Sequence, residues 1–291
     1  MELPLVVGVD GSESSLQTVD WAVDEAARHG VPLRVIYASL WERYEGAHPF
    51  DIARPSEEIM AEHIIASGTE RARRRNPDVK VSGEMVPEDA VSALLQAGHE
   101  AFGLVMGSRG RGELAGLLLG SVSLTVAARA AVCPVIVVRG SEPNRQGAFQ
   151  RVVVGVGDPP ENLAAVRFAL REAEARGASL HAVRAWRCPA YEHFDHPLIA
   201  DNAAQVHEER ASSALNDALR EALREHPQVK VHAQTVEGAA HRALLKTSAD
   251  ADLLVVGALR SHGHFGLQLG RVAHAALHHS DCPVAVVPHR A

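Results

Sequence analysis

Residues 133–138, Cys-Pro-Val-Ile-Val-Val, return near the end of the chain as residues 282–287, Cys-Pro-Val-Ala-Val-Val. Short apolar runs of this kind are typical of strands that are covered on both faces, as parallel sheets require. A similar block at both ends of a chain indicates that one folding unit occurs twice. The repeat therefore organises the rest of the sequence.

Further blocks recur in the same order and at nearly constant spacing: residues 6–9 with 153–156, 77–81 with 227–231, and 104–107 with 254–257. A length of 291 residues also fits two domains of ordinary size. Between the copies lies a polar stretch rich in turn-forming residues, which is typical of a linker. We predict a first domain at 1–140, a linker at 141–149 and a second domain at 150–291.

Strand and helix patterns alternate within each copy. The strands predicted for the first copy are residues 5–9, 33–38, 79–86, 102–106 and 135–138, and the helices are 12–30, 56–75, 87–99 and 121–129. The first helix has two possible N-caps, Ser12 and Ser14. Alternation of this kind predicts an α/β fold with a doubly wound parallel sheet and right-handed crossovers. Ligands of such sheets bind beyond the carboxyl ends of the strands.

The composition excludes several classes of protein. A net charge of -7 disfavours a protein whose main partner is nucleic acid or an anionic membrane. Lysine occurs only at Lys80, Lys230 and Lys246, and none of them follows a glycine-rich stretch. A Walker-type phosphate loop, which needs a lysine after its glycines, is therefore absent. No signal peptide or membrane span is evident, and we expect a cytoplasmic protein.

The strongest chemical signal follows the fourth strand. Gly107 and Gly110 flank a short bend. After nine intervening residues, Gly120 and Ser121 begin a helix. The two bend glycines can adopt positive φ, and without a Cβ they let backbone N–H groups approach an anion. The start of a helix also attracts phosphate oxygens, and the hydroxyls of Ser121 and Ser123 could add donors. The pattern predicts a phosphate site that needs no lysine.

This spacing, G-x2-G-x9-G-[ST], resembles the nucleotide-binding signature of the universal stress protein family. The first strand with the residues after it, 7–12, and the block at 133–138 also look like that family. The resemblance covers nearly the whole chain as a tandem pair. It implies two Rossmann-like domains of the adenine nucleotide α-hydrolase-like kind, each with a five-stranded sheet in the order 3-2-1-4-5.

The resemblance also implies ATP as the ligand, with or without Mg²⁺. Carried over by position, the residues facing adenine and ribose are Val9, Asp10 and Ala38. Those holding ribose and phosphates are Met106, Gly107, Gly110, Gly120, Ser121, Val122 and Ser123. Two alternatives stay open: Asp10 could instead close the turn or cap the helix after the first strand, and Arg109 and Arg111 could contact phosphates or simply face solvent.

The second copy departs from the pattern. It keeps Gly257 and Gly270, but Arg260 stands in the place of Gly110 and Arg271 in the place of Ser121. Gly157 replaces Asp10. If the first copy needs positive φ at Gly110, arginine would be strained there and the loop would differ in shape. Arg271 could alternatively grip a phosphate through its guanidinium, so nucleotide binding by this copy stays open.

The cysteines and histidines carry weaker signals. Cys133, Cys188 and Cys282 form no CxxC pair, and we interpret them as reduced thiols without chemistry. Most of the seventeen histidines lie in the second copy, including His262, His264, His278 and His279. Their local spacing is weak evidence for a metal site, and we predict none.

Three functions fit the sequence: an ATP-binding regulator of stress survival or growth, a slow ATP hydrolase, and a nucleotide-independent protein-interaction module. We favour the regulator, because phosphoryl transfer needs a base and a metal clamp that the sequence does not display. We predict no enzymatic turnover. The apolar fifth strands at 135–138 and 284–287 are expected at sheet edges, where they could pair and join the domains. We also expect a homodimer and a regulatory protein partner.

Overall fold

The structure is a computed structural model that describes residues 2–40, 56–110, 119–158, 163–188, 197–258, 260–263 and 266–289. The chain divides into two compact units, Met1–Val138 and Arg139–Ala291. Two residues named above, Arg111 and His264, lie outside the described ranges. Within those ranges, no helix has both the length and the hydropathy needed to cross a bilayer.

The first unit alternates strands and helices as predicted. Its strands are β1 (Leu5–Gly8), β2 (Leu33–Ala38), β3 (Val81–Val86), β4 (Gly103–Gly107) and β5 (Val135–Val138). Its helices are α1 (Glu13–His29), α2 (Ser56–Arg75), α3 (Ala90–Ala97) and α4 (Ser121–Arg129), with a 3₁₀ turn at Gly98–Glu100. The observed bounds differ from the predicted ones by only a few residues, which is usual at frayed ends.

The sheet of the first unit is parallel, with strand order β3-β2-β1-β4-β5. Leu5 of β1 lies beside Leu33 of β2 on one side and Gly103 of β4 on the other. The predicted order 3-2-1-4-5 is thus confirmed. The chain winds outward from β1 through β2 to β3 and then crosses back to β4. The carboxyl ends of β1 and β4 therefore form the topological switch point, where ligands of such sheets bind.

Helix α1 shows how the sequence builds these layers. Ser12 is its N-cap and accepts a hydrogen bond from the N–H of Ser15, which decides between the two predicted caps. Val19 and Val23 recur at helical spacing and are fully buried against the sheet. Each such side chain contributes about 1.5–3 kcal/mol through burial. Gly30 ends the helix with φ of 66°, a left-handed conformation that favours glycine.

The second unit repeats the pattern. Its strands are β6 (Arg151–Gly155), β7 (Ser179–Trp186), β8 (Val231–Glu237), β9 (Leu253–Gly257), β10 (Arg260–Gly263), β11 (Gly266–Leu269) and β12 (Val284–Val287). Its helices are α5 (Glu142–Arg145), α6 (Leu163–Arg176), α7 (Pro197–Arg220), α8 (Ala222–Glu225), α9 (Ala240–Ser248) and α10 (Arg271–His279).

The parallel sheet of the second unit has the order β8-β7-β6-β9-β12, which is the same topology as in the first unit. Strands β10 and β11 form a separate antiparallel hairpin between β9 and α10. The equivalent stretch of the first unit includes residues that lie outside the described ranges. The two units therefore have the same strand order in their parallel sheets.

The segment predicted as a linker, residues 141–149, packs onto the second unit. It contains α5, and the side-chain amide of Asn144 donates to the carbonyls of Ala249 and Ala251 at 2.8 and 2.7 Å. Asn144 is only 2% exposed. Gly140, just before the segment, has φ of 84°, and a Cβ there would lie 1.9 Å from the carbonyl oxygen of Asp281. Only glycine fits this approach.

Candidate functional site

In the first unit the carboxyl ends of β1 and β4 lie side by side, and we call the region beyond them the mouth. The chain that follows β1 forms one side of it. Asp10 follows β1, and its Oδ1 accepts hydrogen bonds from the N–H and the hydroxyl of Ser12 at 3.0 and 2.6 Å. Gly11 lies between them with φ of 80°, which glycine adopts without strain. One oxygen of Asp10 thus closes the turn, as the alternative interpretation of this residue predicted.

The bend after β4 crosses towards Asp10. A Cβ built on Gly110 would lie 2.6 Å from Asp10 Oδ2, so the two residues meet although they are a hundred positions apart. A Cβ on Gly107 would lie 3.0 Å from the hydroxyl of Thr18 on α1. The φ angles of Gly107 and Gly110 lie outside the left-handed region, so the positive φ that glycine allows is not used here. Glycine is favoured at these positions because other groups approach them closely.

Three hydrogen bonds hold the bend in place. The hydroxyl of Ser14 donates to the carbonyl of Arg109 at 3.0 Å, and the N–H of Gly120 donates to the carbonyl of Ser108 at 2.8 Å. The hydroxyl of Ser123 donates to the carbonyl of Gly107 at 2.7 Å. These bonds connect the bend to the first turns of α1 and α4.

The bond of Ser123 corrects one expectation. A hydroxyl has a single proton. Ser123 is only 8% exposed and donates that proton to Gly107, so in this structure its hydroxyl positions the bend. The role of Ser14 was missed because it depends on a contact across 95 positions of sequence. The signal that could have found it is the serine-rich stretch after Asp10.

The start of α4 offers unused backbone donors. Gly120 is the N-cap and provides no side-chain cap, and its own carbonyl accepts from Leu124. Across the described part of the chain, no hydrogen bond reaches the N–H groups of Ser121, Val122 or Ser123. Unpaired N–H groups at a helix start, together with the positive end of the helix dipole, favour an anion. The mouth can therefore bind a phosphate-like group.

The remaining predicted residues lie around this mouth at different depths. Val9 and Met106 are 7% and 3% exposed, so their side chains belong to the core and leave mainly backbone atoms for a ligand. Ala38 ends β2 and is half-buried, as is Val122 in the first turn of α4. Arg109 is exposed on the bend. The structure thus brings the predicted residues to one edge of the sheet.

The equivalent mouth of the second unit contains a residue that the sequence analysis did not single out. Strand registers place Arg184 of β7 where Tyr37 of β2 lies in the first unit. The Arg184 guanidinium donates to the carbonyls of Val156 and Gly157 and to the carboxylate of Asp158. This side chain is 15% exposed. It therefore covers the end of β6, which corresponds to the end of β1 at Val9 and Asp10.

The helix start of the second unit keeps part of the phosphate geometry. Gly270 is the N-cap of α10 and has no side-chain cap, like Gly120. Gly157 replaces Asp10, and a Cβ there would have no neighbour within 4 Å. The expectation of strain at Arg260 depended on positive φ at Gly110. Gly110 does not have positive φ, so the expectation does not apply.

Comparison with known proteins decides the family. The sequence profile described as the Universal stress protein family matches residues 3–139 and again residues 148–288. The chain belongs to the universal stress protein family. The double match also fits the tandem arrangement read from the repeat. Among curated universal stress proteins, one from Mycobacterium tuberculosis (strain ATCC 25618 / H37Rv) is 32% identical over 293 residues, covering 97% of this chain and 96% of that protein.

A second universal stress protein of the same strain is 29% identical over 300 residues, covering 98% of this chain and 94% of its own. Among solved structures, a universal stress protein from Archaeoglobus fulgidus DSM 4304 covers 100% of both chains with a TM-score of 0.67 at 18% identity. This likeness confirms the fold. Solved universal stress proteins that match 47% of this chain, with TM-scores of 0.35 and 0.36, include complexes with dAMP and with cAMP.

Proposed function

We propose that the first unit binds an adenine nucleotide, with ATP as the preferred ligand, and that the chain acts as a nucleotide-dependent regulator of stress response or growth. The observation that carries this proposal is the start of α4. Its N–H groups at Ser121, Val122 and Ser123 are unpaired within the described chain. Hydrogen bonds from Gly120 and Ser123 hold this helix start against the bend that leads to Gly110. An anion bound there needs no lysine.

The energetics of such a site are adequate. A hydrogen bond to a charged group contributes about 1.5–3 kcal/mol, so three backbone donors supply about 6 kcal/mol. A micromolar dissociation constant corresponds to about 8 kcal/mol. Burial of the adenine against the ends of β1 and β2, near Val9 and Ala38, would supply the remainder. Asp10 lies at the end of β1 beside Ser12 and Gly110, so its carboxylate is the group placed to meet the ribose or adenine edge.

We propose that the second unit does not bind the nucleotide in the same way. Arg184 covers the carbonyls that would otherwise face the adenine, and the carboxylate of Asp10 has no counterpart at Gly157. Arg271 and the uncapped start of α10 preserve attraction for an anion but offer no adenine site. The expected stoichiometry is one nucleotide per chain.

We propose that the bound nucleotide is not turned over. Transfer of a phosphoryl group needs a base or a water-orienting group and a metal clamp. The donors at the mouth are backbone amides, which hold phosphates but accept no proton. The test is sustained phosphate release from pure protein. Turnover clearly above background that disappears in Asp10→Ala would favour the slow hydrolase instead.

The binding proposal is tested by matched variants in the two units. A Cβ at Gly120 would meet only the carbonyl of Ser108 at 3.8 Å, so Gly120→Glu should fold normally. Its carboxylate would repel phosphates and fill the helix start. We expect ATP binding to be abolished in Gly120→Glu and unchanged in Gly270→Glu, measured by calorimetric titration. Full affinity in a folded Gly120→Glu protein would contradict the site, and nucleotide-free, non-binding wild type would favour the interaction-module alternative.

A further inference from the structure

Helix α10 of the second unit contains two histidines one turn apart, a spacing that the sequence analysis overlooked. His274 and His278 are four residues apart, so they lie on the same helix face. Their ring centroids are 4.4 Å apart, with ring planes inclined at 31°. Zinc and nickel bind imidazole nitrogen at about 2.0–2.1 Å, and rings this close can reach one ion by rotating about their side-chain bonds.

The surroundings of the His278 ring favour binding of a metal ion. The Nε2 of this ring is buried and has no hydrogen-bond partner. A buried nitrogen without a partner is costly unless something binds it.

The first unit shows that the fold does not require these histidines. Aligning Gly120 with Gly270 places Leu124 and Ala128 of α4 at the positions of His274 and His278. The equivalent helix thus packs with apolar residues at both positions. The histidine pair is a specific feature of the second unit, and it lies on a face of α10 where His274 is exposed to solvent.

We propose that His274 and His278 form a two-histidine site for a divalent transition metal ion of the zinc, nickel or copper type. Imidazole nitrogen is a good ligand for each of these ions, and water completes their coordination. Arg139, whose guanidinium donates to the carbonyl of Leu277, lies near His278 and repels a dication. The affinity is accordingly modest, and the site takes up metal reversibly.

The test is a titration of the full, tag-free chain with Zn²⁺ and Ni²⁺ in competition with a chromophoric chelator. Replacing a ligand should weaken binding at least about 10-fold, so His274→Ala and His278→Ala should each show this loss. His279→Ala is the matched control, since it changes the neighbouring histidine about 100° around the same helix. Its affinity should match wild type. His274 is exposed, so its replacement leaves the fold intact.

A second control separates this site from the other histidine pair. His181 and His232 lie side by side on β7 and β8 with ring centroids 4.7 Å apart. His232→Ala should leave the affinity unchanged. Metal should also raise the melting temperature of wild type and of His279→Ala but not of His274→Ala. The proposal is overturned if binding survives in His274→Ala, if it is lost in His232→Ala, or if wild type shows no saturable binding.

Discussion

The two units have the same sheet order, yet their mouths are built from different residues. In the first unit, Asp10 projects a carboxylate and Gly110 leaves room for it. In the second unit both positions change together, to Gly157 and Arg260, and Arg184 covers the strand end. The two positions that meet in the first unit thus both hold different residues in the second, although the sheet order is the same.

The residues that build the sheet are alike in the two units, whereas those at the ends of the strands differ. The buried strand residues, such as Val7 and its counterpart Val154, are fully buried in both units. The N-terminal residues of α4 and α10 both lack a side-chain cap. What differs is the group placed over the end of the first strand of each unit. The predictions below use one unit as the control for the other.

The largest effect is expected from filling the space beside Asp10. Gly110→Val would place its Cβ 2.6 Å from Asp10 Oδ2, so the carboxylate or the bend must move. Displacing the carboxylate removes a charge-assisted contact with the ligand worth about 1.5–3 kcal/mol, so ATP affinity should fall roughly 10- to 150-fold. Calorimetric titration measures the loss. Gly157→Ala, which meets nothing within 4 Å, is the neutral control.

The same pair can be tested for coupling. Adding Asp10→Gly to Gly110→Val removes the carboxylate, as Gly157 does in the second unit, and so removes the clash. We expect it to restore the melting temperature but not the ATP affinity. Strictly additive effects of the two changes on stability would mean that the residues do not touch.

A smaller effect is expected from opening the second mouth. Arg184→Tyr combined with Gly157→Asp gives the second unit the residues found at Tyr37 and Asp10 of the first. Removing the guanidinium frees the carbonyls of Val156 and Gly157. We expect a second, weaker class of ATP sites, counted by equilibrium dialysis. Stoichiometry that stays at one per chain would show that Arg184 is not what closes this mouth.

Replacing Ser123, whose hydroxyl bonds to the bend, should change the ATP affinity less. Ser123→Ala removes the hydrogen bond to the carbonyl of Gly107, worth about 1 kcal/mol, so ATP affinity should fall about 5-fold. Ser121→Ala keeps the backbone N–H and removes only an exposed hydroxyl. Titration should therefore rank Ser121→Ala closer to wild type than Ser123→Ala. The reverse ranking would assign the phosphate contact to the Ser121 hydroxyl.

The smallest difference is expected where the units agree. Burial raises the pKa of Cys133 from 9.0 to about 11, and that of Cys282 to about 12. Both thiols stay protonated at pH 8 and should react with iodoacetamide far more slowly than the half-buried Cys188. Mass spectrometry of the labelled peptides checks this. Equal labelling of all three cysteines in the native protein would contradict the burial.

The same pKa shifts set a pH dependence with a defined sign. A thiol whose pKa is higher in the folded state stabilises the fold fully below the unfolded pKa of 9.0, and this contribution disappears as the pH rises through about 11. Cys133→Ala should therefore weaken the loss of stability between pH 9 and 11. Denaturant melts across that range measure the change.

Much of the fold could be predicted from sequence because its signals are local and repeated. The helical spacing of Val19 and Val23, the cap at Ser12 and the stop at Gly30 all concern neighbours within one element. The repeat predicted two folding units, and the alternation of strands and helices predicted a parallel sheet in each. These features needed no knowledge of contacts between distant residues.

The candidate site was predicted in position but not in detail. The glycine spacing identified the bend and the helix start, yet it suggested positive φ where the real constraint is the approach of Asp10 and Thr18. The bonds of Ser14 and Ser123 and the position of Arg184 depend on residues far apart in sequence. One chain without its contacts cannot reveal such pairs.

The central claim is that backbone amides at the start of α4 hold the phosphates of one nucleotide in the first unit. A crystal structure of the full chain grown with excess ATP tests it most directly. The account predicts phosphate oxygens within hydrogen-bond distance of the N–H groups of Ser121, Val122 and Ser123, with Arg184 still covering the second mouth. Nucleotide only in the second unit, or a first mouth left empty under saturating ATP, would contradict it.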